Sequence, residues 1–470
     1  ARSNGPTTGA GWSGLRWAGP QAGRPAQPDA ADCKRAPQRI DLWGPQGRPG
    51  AAWRGRREAA EMAELSDTAS PHGSLSSRSA PELAERRSDK AATSPPVAAA
   101  AAPAPEGAYR PPRPQDLPHE RPATEPVTAG VVDDNADFGA YLAYRERNSG
   151  LPVRELDVRE RTLLTVRDAA DRPVPDAQVA LYASGQPLPL WARTDAGGQV
   201  WLHPGVVDSA APVFEVQVRK ADQGRSLIGR ALLRRGQRDN LQVRLAAELP
   251  AERARLDLVF LIDATGSMAD EIDKLKRSMR AMADQIAQLP SKPDLCFAMV
   301  AYRDRGDEFF VRAHDFSNDL PAFQRSLGAL QAGGGGDTPE ALNEALHTAV
   351  HRLSWRGDGA TRLVVLVADA PPHLDYGAPY YDHDMQGALA RGIKLFAVGA
   401  SGLDPVGEYV FRQAAQYTGG RFVFLTYAQA TDPSSGPGRE TVHDVGNYSV
   451  ESLDKLVVRL VREELAKRSN

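Results

Sequence analysis

From Leu256 to Ile262 the chain is apolar at every position except Asp257. A run of that kind reads as a strand buried on both faces, as in a parallel sheet. It ends in Asp263-Ala264-Thr265-Gly266-Ser267, a glycine-containing turn with a carboxylate and two hydroxyls at alternate positions. Met268, Ile272, Leu275, Met279, Met282, Ile286 and Leu289 then recur every three or four residues, which is one apolar helix face. Oxygen-bearing side chains therefore sit where a buried strand hands over to a helix. Open α/β sheets take ligands at that edge.

The same alternation continues. Leu295–Tyr302 reads as a second strand and Phe309–His314 as a third. The link between them is too short for a parallel crossover, so the third is expected to run antiparallel, as an edge. Leu320–Leu330 reads as a helix. Thr338-Pro339-Glu340 is expected to open another through Leu353, with Thr338 as N-cap and proline in the first turn. Leu363–Ala368 is a fourth strand, ending in Asp369. After the loop Ala370–Asp384 come a short helix, a strand at Ile393–Val398, a helix at Gly407–Tyr417 and a sixth strand at Arg421–Leu425. Ala428–Asn447 reads as a surface loop, and Leu453, Leu456, Val457, Leu460, Val461 and Leu465 mark a final amphipathic helix. The pattern is that of an α/β fold, a doubly wound and mostly parallel six-stranded sheet with one antiparallel edge strand, over residues 251–470.

Ahead of it, residues 159–250 read as a small all-β sandwich. Its strands are expected at Thr162–Val166, Gln178–Tyr182, Val200–His203, Val213–Arg219, Leu227–Leu233 and Leu241–Leu245. Residues 127–158 read as a docking segment with a short helix started by Asp137. Residues 1–126 are rich in proline, alanine, glycine, serine and arginine, and read as a disordered leader. The first methionine is Met62, and residues 1–61 are expected to be an over-extended reading frame.

Composition narrows the function. A net charge of −3 over 470 residues gives no electrostatic footprint for nucleic acid. No apolar run reaches the ~18 residues of a membrane span, and no signal-peptide pattern is visible. Cys33 and Cys296 form no disulfide framework, and Cys296, in an apolar run, reads as a small buried residue.

Following the chain through its strands brings three remote segments to the carboxyl edge of the sheet. Strands one and four are parallel, so Asp263 and Asp369 both lie there. The helix after the antiparallel strand returns the glycine run Gly333–Gly336 and Thr338 to the same edge. Asp263, Thr265, Ser267, Thr338 and Asp369 are hard oxygen donors, and such a set favours Mg²⁺ or Mn²⁺ over Zn²⁺.

Asp263-x-Thr265-x-Ser267, Thr338 in GGGGDTPEAL and Asp369 in LVVLVADAPPH resemble the metal-ion-dependent adhesion site (MIDAS) of von Willebrand factor type A (VWA) domains. Threonine replaces the usual first serine and keeps the hydroxyl. The resemblance spans about Arg255–Leu465. DATGSM, YRDRGDE and ADAPPHLDY are especially similar to a bacterial group with an N-terminal sandwich. The sandwich itself resembles carboxypeptidase-regulatory-like, transthyretin-type domains through RPVPDAQVALY and TDAGGQVWL. The resemblance implies Mg-dependent binding of a protein that offers an Asp or Glu carboxylate, without turnover, and a location in the cell envelope or outside the cell.

The loop Pro371–Asp384 is the expected seat of specificity, with His373, Asp375, Tyr376, Tyr380 and Tyr381 as partner-binding residues, because exposed tyrosines anchor interfaces. His347 and His351 are four apart on a helix. No third ligand or HExxH glutamate accompanies them, so they read as helix-surface residues. Arg305-Gly306-Asp307 reads as a turn, and the glycine run lacks the GK[ST] of a phosphate loop. Two rivals remain. A Mg-dependent hydrolase of the dehalogenase type needs an Asp-x-Asp motif, whereas Asp263 is followed two residues on by Thr265. An adaptor subunit of a chelatase or AAA+ assembly would act beside an ATPase domain, and none is read in these residues.

Overall fold

A computed structural model describes residues 32–40, 126–207, 210–250, 252–336, 338–357 and 359–469. Residues 1–31 and 41–125, most of the expected leader, lie outside the described residues. In chain order the first elements are β1 (Arg39–Ile40), β2 (Thr128–Val132), α1 (Phe138–Arg147), β3 (Thr162–Arg167), β4 (Gln178–Ala183), β5 (Gln186–Arg193), β6 (Gln199–Leu202), β7 (Val213–Asp222), β8 (Arg225–Arg234) and β9 (Leu241–Arg244). Then follow β10 (Arg255–Asp263), α2 (Ile272–Ala287), β11 (Asp294–Tyr302), β12 (Val311–Ser317), α3 (Leu320–Gly328), α4 (Leu342–His351), β13 (Ala360–Ala368) and α5 (Tyr381–Arg391). The chain ends with β14 (Ile393–Gly399), α6 (Pro405–Tyr417), β15 (Arg421–Gln429), β16 (Asp432–Pro437), β17 (Glu451–Ser452) and α7 (Leu453–Ala466).

The large sheet is mixed α/β with a parallel centre. Its path runs β1-β12-β11-β10-β13-β14-β15-β2-β17, with β16 paired to β15 off the path. β11, β10, β13, β14 and β15 are mutually parallel, and β12 is antiparallel to β11. Successive residues of a strand point to opposite faces, and β10 shows the result. Leu258, Phe260 and Ile262 pack with α2, α3 and α7. Val259 and Leu261 pack with α4, α5 and α6 on the other side. Every side chain of β10 after Arg255 is buried, so the uninterrupted apolar run belongs to a strand covered on both faces.

The sheet is wider than the six strands read from the sequence. β12 is not its edge, because β1 adds antiparallel outside it. A disulfide joins Cys33 to Cys296 on β11 beside this segment, so the cysteines expected to be unpaired are joined. On the far side, β2 pairs antiparallel with β15. Gly130 lies opposite Phe424, and a Cβ there would come within 2.5 Å of the ring. The glycine that lets the ring in also weakens the strand signal. The expected loop 428–447 contains the end of β15 and all of β16, which pair antiparallel. Helix α4 begins at Leu342 with Ala341 as N-cap, past the expected start at Thr338.

Residues 162–244 form two small sheets, one of order β6-β3-β9 and one of order β5-β4-β7-β8. Leu164, Val166, Val179, Leu181, Val216, Val218 and Val243 belong to one apolar cluster that continues into the α4–α6 face of the large sheet. The two prolines of β5 hid that strand from the sequence pattern. Asp137 caps α1 through Ala140 N at 3.1 Å, as its position suggests. The helix packs on α6. The Tyr144 and Tyr409 ring centroids are 5.9 Å apart, and the Arg412 guanidinium lies 3.7 Å from the Tyr144 centroid.

Candidate metal site at the carboxyl edge

Strand β10 delivers Asp263 to the carboxyl edge, and the turn after it folds back on that carboxylate. Thr265 donates its backbone N–H (2.9 Å) and its hydroxyl (2.7 Å) to Asp263 Oδ1. The hydroxyls of Thr265 and Ser267 are 3.0 Å apart. Asp369, after the parallel β13, lies close enough to Ser267 for that hydroxyl to favour its charged form, and close enough to Asp263 to raise that carboxyl's pKa. Four of the five expected donors are therefore gathered.

The glycine run forms the neighbouring wall. Gly266 N donates to Gly334 O and Gly333 N to Ala264 O, each at 3.0 Å, which ties the two loops together. Gly334 has φ +75°, a left-handed conformation that costs glycine little. A Cβ on it would also fall 2.2 Å from Asp307 Cγ. Asp307 Oδ2 accepts from Gly335 N (2.8 Å) and Asp304 N (3.0 Å), so Arg305-Gly306-Asp307 is a turn whose carboxylate clasps this wall. Thr338 is on the same loop but exposed, and among the described residues no contact brings its hydroxyl to the other four.

Electrostatics set the chemistry. Burial, and then the charge of Asp369, pushes the Asp263 carboxyl up to about 7. Burial also raises Asp369. Burial first, then Asp263, Asp304, Asp307 and Asp369, pushes Glu340 up to about 9. Asp263 Oδ2, Asp369 Oδ1 and Glu340 Oε2 are buried and make no hydrogen bond among the described residues. Unpaired buried carboxylates are costly. A divalent cation would supply the missing countercharge, and the donor set fits one. Glu340 was read from the sequence only as part of a helix start; its place beside Asp263 depends on the loop.

The expected specificity loop divides. His373 is buried and stacks on Tyr376, with ring centroids 3.7 Å apart. Arg305 covers Tyr376, 3.5 Å from its centroid, and the Tyr376 hydroxyl donates to both Asp304 oxygens at 2.9 Å. Asp375, which is exposed, pairs with His373 Nδ1 at 2.8 Å. These residues form a rim. Tyr380 and Tyr381 do not join it. Arg154 covers the Tyr380 ring at 4.1 Å, and Tyr381 is fully buried with its hydroxyl donating to Arg154 O at 2.8 Å. Tyr381 is therefore a core residue rather than an exposed anchor: it packs among the apolar side chains of α4–α6.

His347 and His351 are not a bare helix surface. Asp384 of α5 completes a group of three with them, which the sequence could not supply because the third residue comes from another helix.

A family model described as "von Willebrand factor A domain" matches residues 257–371. "Alpha-protein kinase vwkA" of Dictyostelium discoideum is 29% identical over 163 residues, 33% of this chain and 25% of that protein. "Putative ariadne-like RING finger protein R811" of Acanthamoeba polyphaga mimivirus is 29% identical over 123 residues, 26% of this chain and 12% of that protein. "von Willebrand factor A domain-containing protein 7" of Mus musculus is 30% identical over 150 residues, 30% of this chain and 16% of that protein. The chain thus matches a quarter or less of each relative's length. These relatives are eukaryotic or viral, whereas the sequence motifs resemble a bacterial group. Domains of this family are generally metal-dependent protein-interaction modules and commonly bind a divalent metal. All five donors read from the sequence fall within the matched stretch, and the chain carries a von Willebrand factor A domain over residues 257–371.

Proposed function

We propose that the carboxyl edge of the large sheet binds a protein partner through a divalent cation, without turnover. The observation that carries this reading is the juxtaposition of two buried carboxylates, each with an unpartnered oxygen, beside two hydroxyls 3.0 Å apart. Asp263, Thr265, Ser267 and Asp369 would hold the ion, with Thr338 joining them only on binding. All five are oxygen donors, which suits Mg²⁺ or Mn²⁺. When bound, the ion supplies a positive centre for an Asp or Glu carboxylate of the partner. Around it, the column of Arg305, Tyr376 and His373 offers the Arg305 cation to the residues flanking that carboxylate.

Thr265 stands where a second aspartate would be needed for dehalogenase-type chemistry, which favours binding over catalysis. The test is calorimetry with Mg²⁺ on the full chain and on Asp263→Ala, followed by selection of displayed peptides in Mg²⁺ with elution by EDTA. Saturable binding lost in the variant, and an acidic residue shared by the eluted peptides, would support the reading. Peptide capture that persists in EDTA would overturn it.

A further inference from the structure

We propose that His347, His351 and Asp384 form a second metal site, of zinc-class chemistry, that joins helices α4 and α5. The two histidines lie one turn apart on α4, and the carboxylate comes from the first turn of α5. His347 Nδ1 and His351 Nε2 are each 3.0 Å from Asp384 Oδ1, and the three donor atoms lie within 4.8 Å of one another. Donors on a tetrahedral ion with bonds of ~2.0–2.1 Å stand about 3.3 Å apart. The side chains are thus already near coordination spacing.

Two further observations point to a ligand rather than to a hydrogen-bonded trio. Asp384 is buried, yet its second oxygen, Oδ2, has no hydrogen-bond partner among the described residues. A network built only of hydrogen bonds would leave that lone pair bare and its desolvation uncompensated. Gly387 lies inside α5, where glycine weakens a helix relative to alanine. A Cβ there would lie 2.7 Å from His351 Cε1 and 2.8 Å from Nε2. The helix gives up stability at the point where it seats the coordinating edge of the ring.

Two imidazoles and one carboxylate suit Zn²⁺ or Co²⁺ and discriminate against Mg²⁺. The histidine side chains are 19% and 23% exposed, which gives an ion an entry path and water a fourth position. One neighbour opposes coordination. Arg391 Nη2 is 3.3 Å from His351 Nδ1. A neutral ring that coordinates through Nε2 carries its proton on Nδ1, so this guanidinium must turn aside. The consequence for the fold is specific. Helix α4 follows the loop 333–341 and α5 follows the loop 370–380, so an ion here clamps the helices that continue from two walls of the carboxyl-edge site.

The test uses the full chain carrying Asp263→Ala, which removes the carboxyl-edge site. Chelator-stripped protein is titrated with Co²⁺ and followed by visible absorption, then back-titrated with Zn²⁺. One equivalent of Co²⁺ with tetrahedral absorption, displaced by Zn²⁺, is expected. Adding His351→Gln or His347→Gln should weaken it on the order of 100-fold, with far-UV circular dichroism unchanged. Absence of the absorption in the parent overturns the proposal without recourse to the variants. So does absorption that survives both histidine substitutions.

Discussion

Asp176 Oδ1 and Arg362 Nη1 meet 2.8 Å apart where neither side chain is more than 3% exposed. Arg362 is on β13 of the large sheet, and Asp176 sits in the turn before β4 of the small one. Arg193 approaches the same oxygen at 3.0 Å, and Gly359 N donates to the other at 2.8 Å. This carboxylate is shared by two buried guanidiniums and joins the small sheets to the large one. Asp176 has φ +56°, a conformation asparagine tolerates, so Asp176→Asn removes the charge with little backbone strain. The variant should lose about 3–5 kcal/mol of unfolding free energy, because Arg193 and Arg362 lose the buried carboxylate they share. Burial alone would raise this carboxyl, but Arg193 and Arg362 outweigh it and hold the group well below the usual carboxylate range. A depressed pKa contributes stability that is present above ~4 and lost as pH falls toward the folded value. The gap between wild type and Asp176→Asn in urea unfolding should therefore narrow below about pH 4. A gap independent of pH would show that packing, not charge, holds the junction.

The carboxyl edge has the opposite sign. Burial and Asp369 push Asp263 up to about 7, and burial also pushes Glu344 to about 7. A raised carboxyl pKa contributes stability below the unfolded value of ~4, and that contribution is lost as pH rises through the folded value. In EDTA, the wild-type chain should melt at a lower temperature near pH 8 than near pH 6, and Asp263→Asn should reduce that dependence to the share carried by Glu344. Mg²⁺ should raise the melting temperature of wild type near pH 8 and leave Asp263→Asn unmoved. At an ion concentration 100 times Kd the gain is about 2.7 kcal/mol. A melting temperature indifferent to Mg²⁺ in wild type would remove the ion from this edge.

How much of this could be read in advance depended on how local each signal was. β10 was legible because its alternate residues face two apolar layers, and the turn that follows carries its oxygen donors within five residues. Asp257, in the same strand, had no legible role. Its partner Arg356 lies 99 residues away, with Nε 2.6 Å from Oδ1 and both side chains buried. Asp384 was missed in the same way, since a histidine pair on one helix says nothing about which carboxylate a second helix brings. Tyr381 looked like a surface anchor because loop tyrosines often are, but its ring enters the core while its hydroxyl reaches Arg154 O. Strand β2 was hidden by the glycine that accommodates Phe424, and β5 by its prolines.

The Cys33–Cys296 bond closes a sequence separation of 263 residues and fastens an N-terminal segment beside β12. That segment is also held by polar contacts. Arg35 Nη2 pairs with Asp315 Oδ2 at 2.8 Å, Asp315 N donates to Gln38 O at 2.8 Å, and Asn318 N donates to Cys33 O at 3.1 Å. The Arg35 pair is partly exposed and contributes little, ~0–1 kcal/mol. The two-residue strand β1 pairs over too short a length to hold by itself. The disulfide is therefore the main tether. Cross-links of this kind contribute about 2–4 kcal/mol, chiefly by restricting the unfolded chain. Cys33→Ser should lower unfolding free energy by that amount and expose Lys34, Arg35 and Arg39 to trypsin, while Mg²⁺ binding at Asp263 persists, since Cys296 lies near the start of β11 and Asp263 at the end of β10. Two free thiols per chain in denatured, unreduced protein would refute the tether. Unaltered tryptic cleavage in Cys33→Ser would instead assign the hold to the hydrogen bonds along β12.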